Sequence, residues 1–156
     1  MTLTGTFTFA GPRAVVWTLL QDPAVLVKVL PGAKTLTKTG DGHFEGVMKV
    51  SIGPVTAAEF AMKVTLVDQQ EPSHFVMQID GKGGVGHVRG SATVDLADDP
   101  AGTRLTYTSD ALVGGRIAAV GQRLIESVAK MMTANALDAL NREVQARSAP
   151  SPGAAS

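Results

Sequence analysis

The sequence predicts an α+β fold in which a curved antiparallel sheet of about seven strands wraps around one long C-terminal helix. Apolar and polar residues alternate with a period of two in a series of short stretches up to Val113, a pattern typical of strands with one wet face. The only long stretch with helical spacing follows them, at residues 114–147. A sheet with one apolar face needs a cover, and this helix is long enough to provide it.

The composition indicates one globular domain. The 156 residues suffice for one substantial core, and 14 Lys and Arg residues balance 14 Asp and Glu residues. The sequence contains no basic cluster of the kind that binds nucleic acid. It also contains no cysteine, which excludes disulfides, thiolate metal sites and a cysteine nucleophile. No apolar run is long enough to span a membrane, and the N-terminus lacks a signal segment. We therefore expect a cytoplasmic protein, with any membrane contact peripheral and at the inner face.

One strand and two short helices open the predicted fold. Residues 3–9 alternate between apolar and threonine side chains, which predicts a half-buried strand. Gly11-Pro12 opens a short helix with proline at its first helical position. Asp22-Pro23 supplies the N-cap and first residue of a second short helix, which Pro31-Gly32 ends.

A run of strands separated by turn residues follows the two short helices. Glycine, proline and aspartate mark the turns, most clearly at Gly53-Pro54 and at residues 98–102. Each strand has one apolar and one polar face. The predicted strands are residues 35–38, 43–52, 56–67, 75–80, 87–96 and 104–113.

The long helix carries two apolar faces. Residues of its first half recur on one face at steps of three and four: Ile117, Val120, Leu124, Val128 and Met131. The apolar residues of the second half lie about 140° to 200° away from that face: Leu137, Leu140 and Val144. We expect the first half to roof a pocket and the second half to pack elsewhere, against the short N-terminal helices, a neighbour displaced by a kink, or a second protein. From Ser148 onward the composition predicts a disordered tail, so the domain spans residues 1–147 and the tail residues 148–156.

The glycine-rich segment at residues 81–86 resembles the start of a phosphate-binding loop. His87 and Val88 follow it where such a loop needs Lys and Ser or Thr. The segment also leads into an alternating strand, so no helix N-terminus is available to hold a phosphate. We predict a glycine-rich hairpin or bulge here and no nucleotide site.

No catalytic or metal-binding constellation is apparent. His43, His74 and His87 are far apart in the sequence and lack the spacing of metal ligands. The carboxylates are explained as a helix cap at Asp22 and as residues of polar strand faces, with Asp110 an ion-pair candidate for Arg104 or Arg116. We therefore predict no catalytic residues, no metal and no cofactor.

Methionines stand out among the apolar residues. Five of them fall on apolar faces: Met48, Met62, Met77, Met131 and Met132. Small residues share those faces: Gly46, Ala58, Gly90, Ala92 and Gly121. Methionine adapts its shape to a ligand but also fills gaps in ordinary cores, so the pattern fits a cavity and a packed core equally well.

The order of several short motifs resembles the CoxG family of carbon monoxide dehydrogenase proteins over about residues 1–145. The opening motifs carry most of the resemblance: Gly11-Pro12, Val16-Trp17, Leu20, Asp22-Pro23 and Leu30-Pro31-Gly32. It continues through later ones: Gly53-Pro54, Gly83-Gly84, Gly102-Thr103, residues 110–114 and residues 121–124. This family belongs to the START-like (SRPBCC), helix-grip superfamily, whose members hold apolar ligands between a curved sheet and the C-terminal helix.

The resemblance implies a non-enzymatic carrier. It would hold a lipid or quinone as cargo and assist a molybdenum-containing carbon monoxide dehydrogenase or related hydroxylase, including its recruitment to the membrane. Trp17 would lie near the pocket mouth or support the first helix. The expected lining residues are Leu30, Met48, Phe60, Met62, Met77, Leu124, Val128 and Met131.

Two alternatives remain open at this point. A START-like enzyme, such as a cyclase or hydrolase, would need a polar group in the pocket, and Tyr107 and Ser109 are the inward candidates. A docking module would bind a partner enzyme without any ligand. The sequence does not identify the ligand or the hydroxylase, and it leaves homo-oligomerisation open.

Overall fold

The computed structural model describes residues 1–148 and confirms the predicted α+β architecture. One strand and two short helices precede six strands, which lead to a long C-terminal helix. The strands are β1 Thr2–Phe9, β2 Ala33–Gly40, β3 His43–Ile52, β4 Val55–Gln70, β5 His74–Gly83, β6 Gly86–Asp99 and β7 Gly102–Gly114. The α-helices are α1 Arg13–Leu20, α2 Pro23–Val29 and α3 Gln122–Ser148. The predicted tail lies outside the described residues apart from Ser148, which is the last residue of α3.

All seven strands form one antiparallel sheet in the order β1-β7-β6-β5-β4-β3-β2. From β2 to β7 each strand pairs with the next along the chain, and β1 closes the sheet beside β7. Register shifts interrupt the β2–β3 and β4–β5 ladders, the second between Val67 and Gln70. Such bulges bend and twist a strand, and the bent sheet has a concave face that can surround a helix.

The structure confirms the predicted cap of α2 and differs from the prediction at the start of α1. The Asp22 carboxylate accepts a hydrogen bond from the Ala24 N–H at 2.9 Å and caps α2. Pro12 is the N-cap of α1 rather than its first helical residue. The glycine-rich segment is a hairpin, because β5 ends at Gly83 and β6 begins at Gly86.

The apolar residues of the concave face form two separate clusters. The first cluster lies towards the β4–β5 turn and comprises Phe9, Val16, Trp17, Leu19, Val25, Val29, Phe44, Leu66, Phe75, Val94, Leu96, Leu105, Leu140 and Val144. The second cluster lies towards the β3–β4 and β5–β6 hairpins and comprises Ile52, Ala58, Phe60 and Ile117. The core is therefore filled at its two ends by different elements.

The C-terminal half of α3 packs against α1, α2 and β1, as predicted. Leu140 and Val144 are buried in the first cluster. The Asn141 side-chain oxygen accepts a hydrogen bond from the Ala10 N–H at 3.0 Å, and Lys28 pairs with Glu143 at 3.1 Å. These contacts fix the position of the helix over one end of the sheet.

The prediction of one continuous helix at residues 114–147 is wrong. Strand β7 continues to Gly114, Arg116–Val120 forms a 3₁₀ turn, and α3 begins only at Gln122. Gly121 separates the two helical pieces with φ 102° and ψ 142°, a backbone conformation that residues with a side chain rarely adopt. The break lets Ile117 reach the second cluster from a separate short element.

The predicted ion pair of Asp110 with Arg104 or Arg116 is also wrong. The Asp110 carboxylate lies 3.7 Å from the N-terminal ammonium group of Met1. Arg104 pairs with Asp99 at 3.8 Å instead. Arg116 donates to the Gly84 carbonyl at 3.1 Å and so ties the 3₁₀ turn to the β5–β6 hairpin.

We predict that Gly121→Ala lowers the free energy of unfolding by about 1–3 kcal/mol, because only the backbone conformation disfavours a side chain there. A Cβ at residue 121 would meet no atom within 4 Å. Gly84→Ala is the matched control, since its Cβ would also meet no atom within 4 Å and its φ lies outside the left-handed range. Urea unfolding followed by the fluorescence of Trp17 measures both variants. Equal stabilities for the two variants would contradict the strain assigned to Gly121.

Candidate concave ligand site

A row of small residues occupies the middle of the concave face, between the two clusters. Ser109 lies opposite Leu3 on one side and Ala92 on the other, and Ala111 lies opposite Gly90. The Tyr107 ring fills the space over Gly5, the next inward residue of β1. Cross-strand neighbours normally fill the space above a sheet with their side chains, and the small residues of this row occupy little of it. We call this part of the concave face the open middle.

Long, flexible side chains border this row. Met48, Met62, Met77 and Ile79 are all half-buried, and they come from three adjacent strands. The Met62 side chain lies over Gly81, where a Cβ would approach its sulfur to 2.5 Å. Thioether side chains change rotamer at little cost, so this border can adapt to the shape of a bound molecule.

Helix α3 presents Ile125 and Met132 to the concave face, and Leu124 and Met131 lie outside it. Ile125 is buried and Met132 half-buried, whereas Leu124 is 36% exposed and Met131 56% exposed. The helix begins at Gln122, and its contacts at Leu140 and Val144 fix its rotation. In that rotation Leu124 and Met131 lie about 100° to 120° away from Ile125 around the helix axis. Their role as lining residues stays a prediction: Met131 is largely exposed, and the Leu124 side chain lies against the β3–β4 turn, where a Cβ at Gly53 would be 2.7 Å from its Cδ2.

The other predicted lining residues lie on the two borders of the open middle. Phe60 belongs to the second cluster, and Met62 and Val128 pack against it. Leu30 and Met77 pack against the first cluster, and Met48 belongs to neither cluster. Trp17 is 6% exposed and stacks edge-on with Phe75, with ring centroids 5.5 Å apart, so it supports α1 and does not lie at a mouth.

The predicted lining residues did not include others that approach the open middle, namely Ile79, Ala111, Ile125 and Met132. The alternation of β5 and β7 already placed the strand residues on the inner face. Their proximity depends on which residues are opposite each other, such as Ala111 and Gly90. Strand register of this kind is not contained in the pattern of a single strand.

The inward positions of β1 and β3–β7 carry no ionised side chain. Among the described residues, they contain no Asp, Glu, His, Lys or Arg on β1 or on residues 44–52, 58–66, 75–83, 88–96 and 105–113. Tyr107, Ser109 and the buried Thr103 place hydroxyls on this face, and Thr133 adds one from α3. A charged group would be costly to bury there, which makes this face suited to uncharged, apolar molecules.

Perturbed ionisable groups lie on the outside of the sheet. The carboxylates of Asp95, at 2.7 Å, and Asp68, at 3.2 Å, bind the two ring nitrogens of His74. The hydrogen bond to Asp95 is the main cause of the raised pKa of His74, and Asp68 adds to it. At the exposed edge, the pKa of Lys34 is raised and that of Glu59 lowered by their mutual hydrogen bond of 3.0 Å.

The outer face also has an open trough of about 580 Å³. Charged side chains line much of it, including Lys63, Asp80, Arg89 and Asp110, and Leu112 beside them is 71% exposed. Within residues 1–148 no three His, Asp or Glu side chains are placed to hold a metal ion. No helix in this part of the chain has the length and apolar character needed to cross a bilayer.

A curved antiparallel sheet closed over a C-terminal helix, with an apolar face between them, defines the helix-grip class of START-like (SRPBCC) proteins. A conserved protein from Geobacillus kaustophilus shares the fold at 30% identity, covering 92% of this chain and 95% of that one with a TM-score of 0.86. The Zhui aromatase/cyclase from Streptomyces sp. R1128 shares it at 18% identity, covering 94% of each chain with a TM-score of 0.70.

The family assignment comes from the sequence. Residues 5–145 match the CoxG family of carbon monoxide dehydrogenase subunits, and the chain belongs to that family. No curated protein matches the chain. The resemblance noted from the motifs is thereby confirmed, and so is the helix-grip fold that it implied.

We predict that His74 stabilises the fold more strongly in mildly acidic than in alkaline solution. Its pKa in the folded protein is raised above the ordinary value of 6.5, so its contribution is complete below pH 6.5. The contribution disappears as the pH rises through the folded pKa, because the neutral ring attracts the two carboxylates less. Urea unfolding of wild type and His74→Gln should therefore differ more at about pH 6 than at about pH 9.

His87→Gln is the control for this prediction. His87 is exposed on the same outer face, and no carboxylate within residues 1–148 hydrogen-bonds its ring. The control measures the effect of removing a histidine without a carboxylate partner, and the pH dependence of the His74→Gln effect should exceed it. A His74→Gln effect that grows with pH would contradict the assigned role of the two carboxylates.

Proposed function

We propose that this protein is a non-enzymatic carrier that holds an apolar molecule, such as a lipid or quinone, between the sheet and α3. The observation that carries the proposal is the row of small, uncharged residues between two filled clusters, bordered by methionines. Each methylene group removed from water contributes about 0.8 kcal/mol. A chain of about ten such groups therefore supplies enough free energy for roughly micromolar binding before ordering costs are subtracted.

The partner that we propose is a molybdenum-containing carbon monoxide dehydrogenase or a related hydroxylase. Family membership supports this, because the family is described as a subunit of carbon monoxide dehydrogenase. A carrier accessory to such an enzyme would exchange its cargo at the inner face of the membrane and help recruit the enzyme there. The exposed Leu112 and the charged side chains around the outer trough offer a surface for that protein contact, separate from the ligand site.

A START-like enzyme is the second candidate, and the fold shared with the Zhui aromatase/cyclase favours it. Acid–base turnover requires a titratable group within hydrogen-bond reach of the reacting atoms. At the described inward positions of β1 and β3–β7 there is no Asp, Glu, His or Lys, and Tyr107 is the one residue with an acidic hydroxyl. This arrangement supports binding over catalysis.

Purified protein is expected to contain an apolar molecule that native mass spectrometry detects and that solvent extraction removes. Ala111→Phe should abolish this occupancy with little loss of stability, because the added ring enters the open middle beside Gly90. Thr108→Phe is the matched control, since it adds the same ring to the exposed outer face of the same strand. Its occupancy should remain at the wild-type level.

The opposite pattern would contradict the carrier proposal. In a dry, closely packed core the extra ring of Ala111→Phe would cost about 1–3 kcal/mol of stability, and the wild-type protein would yield nothing on extraction. A steady turnover of an added apolar substrate, lost in Tyr107→Phe, would favour the enzyme instead.

A further inference from the structure

Tyr107 lies at the boundary between the first cluster and the open middle of the concave face. Its backbone is opposite Gly5 of β1 and Val94 of β6. A Cβ at residue 5 would lie 2.6 Å from the Tyr107 hydroxyl oxygen and 2.7 Å from Cζ, so the ring lies directly over this glycine. The aromatic ring is half-buried against the first cluster, which holds the hydroxyl in a defined place.

The Tyr107 hydroxyl differs from the other hydroxyls of this face because it lacks a partner among the described residues. Ser109 donates to the Leu3 carbonyl at 3.4 Å, and Thr133 donates to the Ala129 carbonyl at 2.8 Å. Among the described residues, Ser148 Oγ is the side-chain polar atom that is both fully buried and without a partner. Because the Tyr107 hydroxyl also lacks a partner, it is not fully buried, and its donor is available to a bound molecule.

The charges of the surrounding face restrict what that molecule can be. A carboxylate or phosphate placed beside Tyr107 would meet no Lys or Arg at the inward positions of β1 and β3–β7, and an ammonium group would meet no Asp or Glu there. Burying an unpaired charge costs far more than one hydrogen bond contributes. A neutral oxygen acceptor avoids this cost and still uses the hydroxyl.

We propose that Tyr107 donates a hydrogen bond to a neutral carbonyl oxygen of the carried molecule and so fixes which end lies beside the first cluster. This inference rests on the proposed carrier function. It narrows the cargo to neutral, carbonyl-bearing apolar molecules and excludes fatty-acid anions. The rest of the molecule lies along the row of small residues towards the second cluster.

Three naphthalenes of similar shape test the inference by calorimetric titration of protein freed of bound lipid. 2-Acetylnaphthalene carries a neutral carbonyl, 2-ethylnaphthalene lacks the oxygen, and 2-naphthoate carries a charge. Wild-type protein should bind the ketone about five- to tenfold more tightly than the hydrocarbon, as expected for one hydrogen bond. It should bind 2-naphthoate more weakly than either.

Two variants distinguish the contribution of the Tyr107 hydroxyl to binding from that of the rest of the pocket. Tyr107→Phe should bind the ketone and the hydrocarbon equally, with unchanged hydrocarbon affinity and an unchanged urea midpoint, because the hydroxyl bonds no protein group among the described residues. Ser109→Ala, the matched control, should keep the ketone preference. A ketone preference that survives in Tyr107→Phe, or a loss of stability in that variant, would overturn the inference while leaving the carrier function intact. Failure of the wild type to bind any of the three would overturn the carrier function itself.

Discussion

The single antiparallel sheet has an inner face that is apolar along its whole length. Because this face must be shielded from water, the helices in the described part of the molecule lie over it. Helices α1 and α2 cover one end together with the second half of α3, where Leu140 and Val144 are buried. The other end is closed by Ile117 from the short 3₁₀ turn. Because separate elements cover the two ends, the middle is shielded mainly by the first half of α3.

Because separate elements cover the two ends of the sheet, the middle can remain available for a ligand. Fully packed cores fill every gap with side chains. Here Gly90, Ala92 and Ala111 provide little volume, and the methionines around them have side chains that can move. The charged residues are confined to the outer face and the edges, where His74 and its two carboxylates strengthen the sheet. The ionised groups that strengthen the sheet therefore lie on the face opposite the proposed ligand site.

The alternation of side chains predicted the strands and their inner faces well, because each strand obeys a local rule. Position 121 shows where such rules fail. Ile117, Val120 and Leu124 have helical spacing, but one glycine with positive φ interrupts the helix and resets its phase. Consecutive helical residues lie about 100° apart, and here Ile125 is buried whereas Leu124 is 36% exposed. The pairing of Gly5 with Tyr107 depends on contacts between distant strands, which no single stretch of sequence contains.

The central claim is that an apolar molecule binds on the concave face under α3, and the methionine methyl groups report on this directly. Carbon-13 methyl spectra can be recorded during titration with 2-acetylnaphthalene, after assignment by single Met→Leu variants. The account predicts shifts for Met48, Met62, Met77 and Met132, and little change for Met131, which is 56% exposed on the outer side of α3. Unchanged signals from the four inner methionines, or a shift confined to Met131, would contradict it.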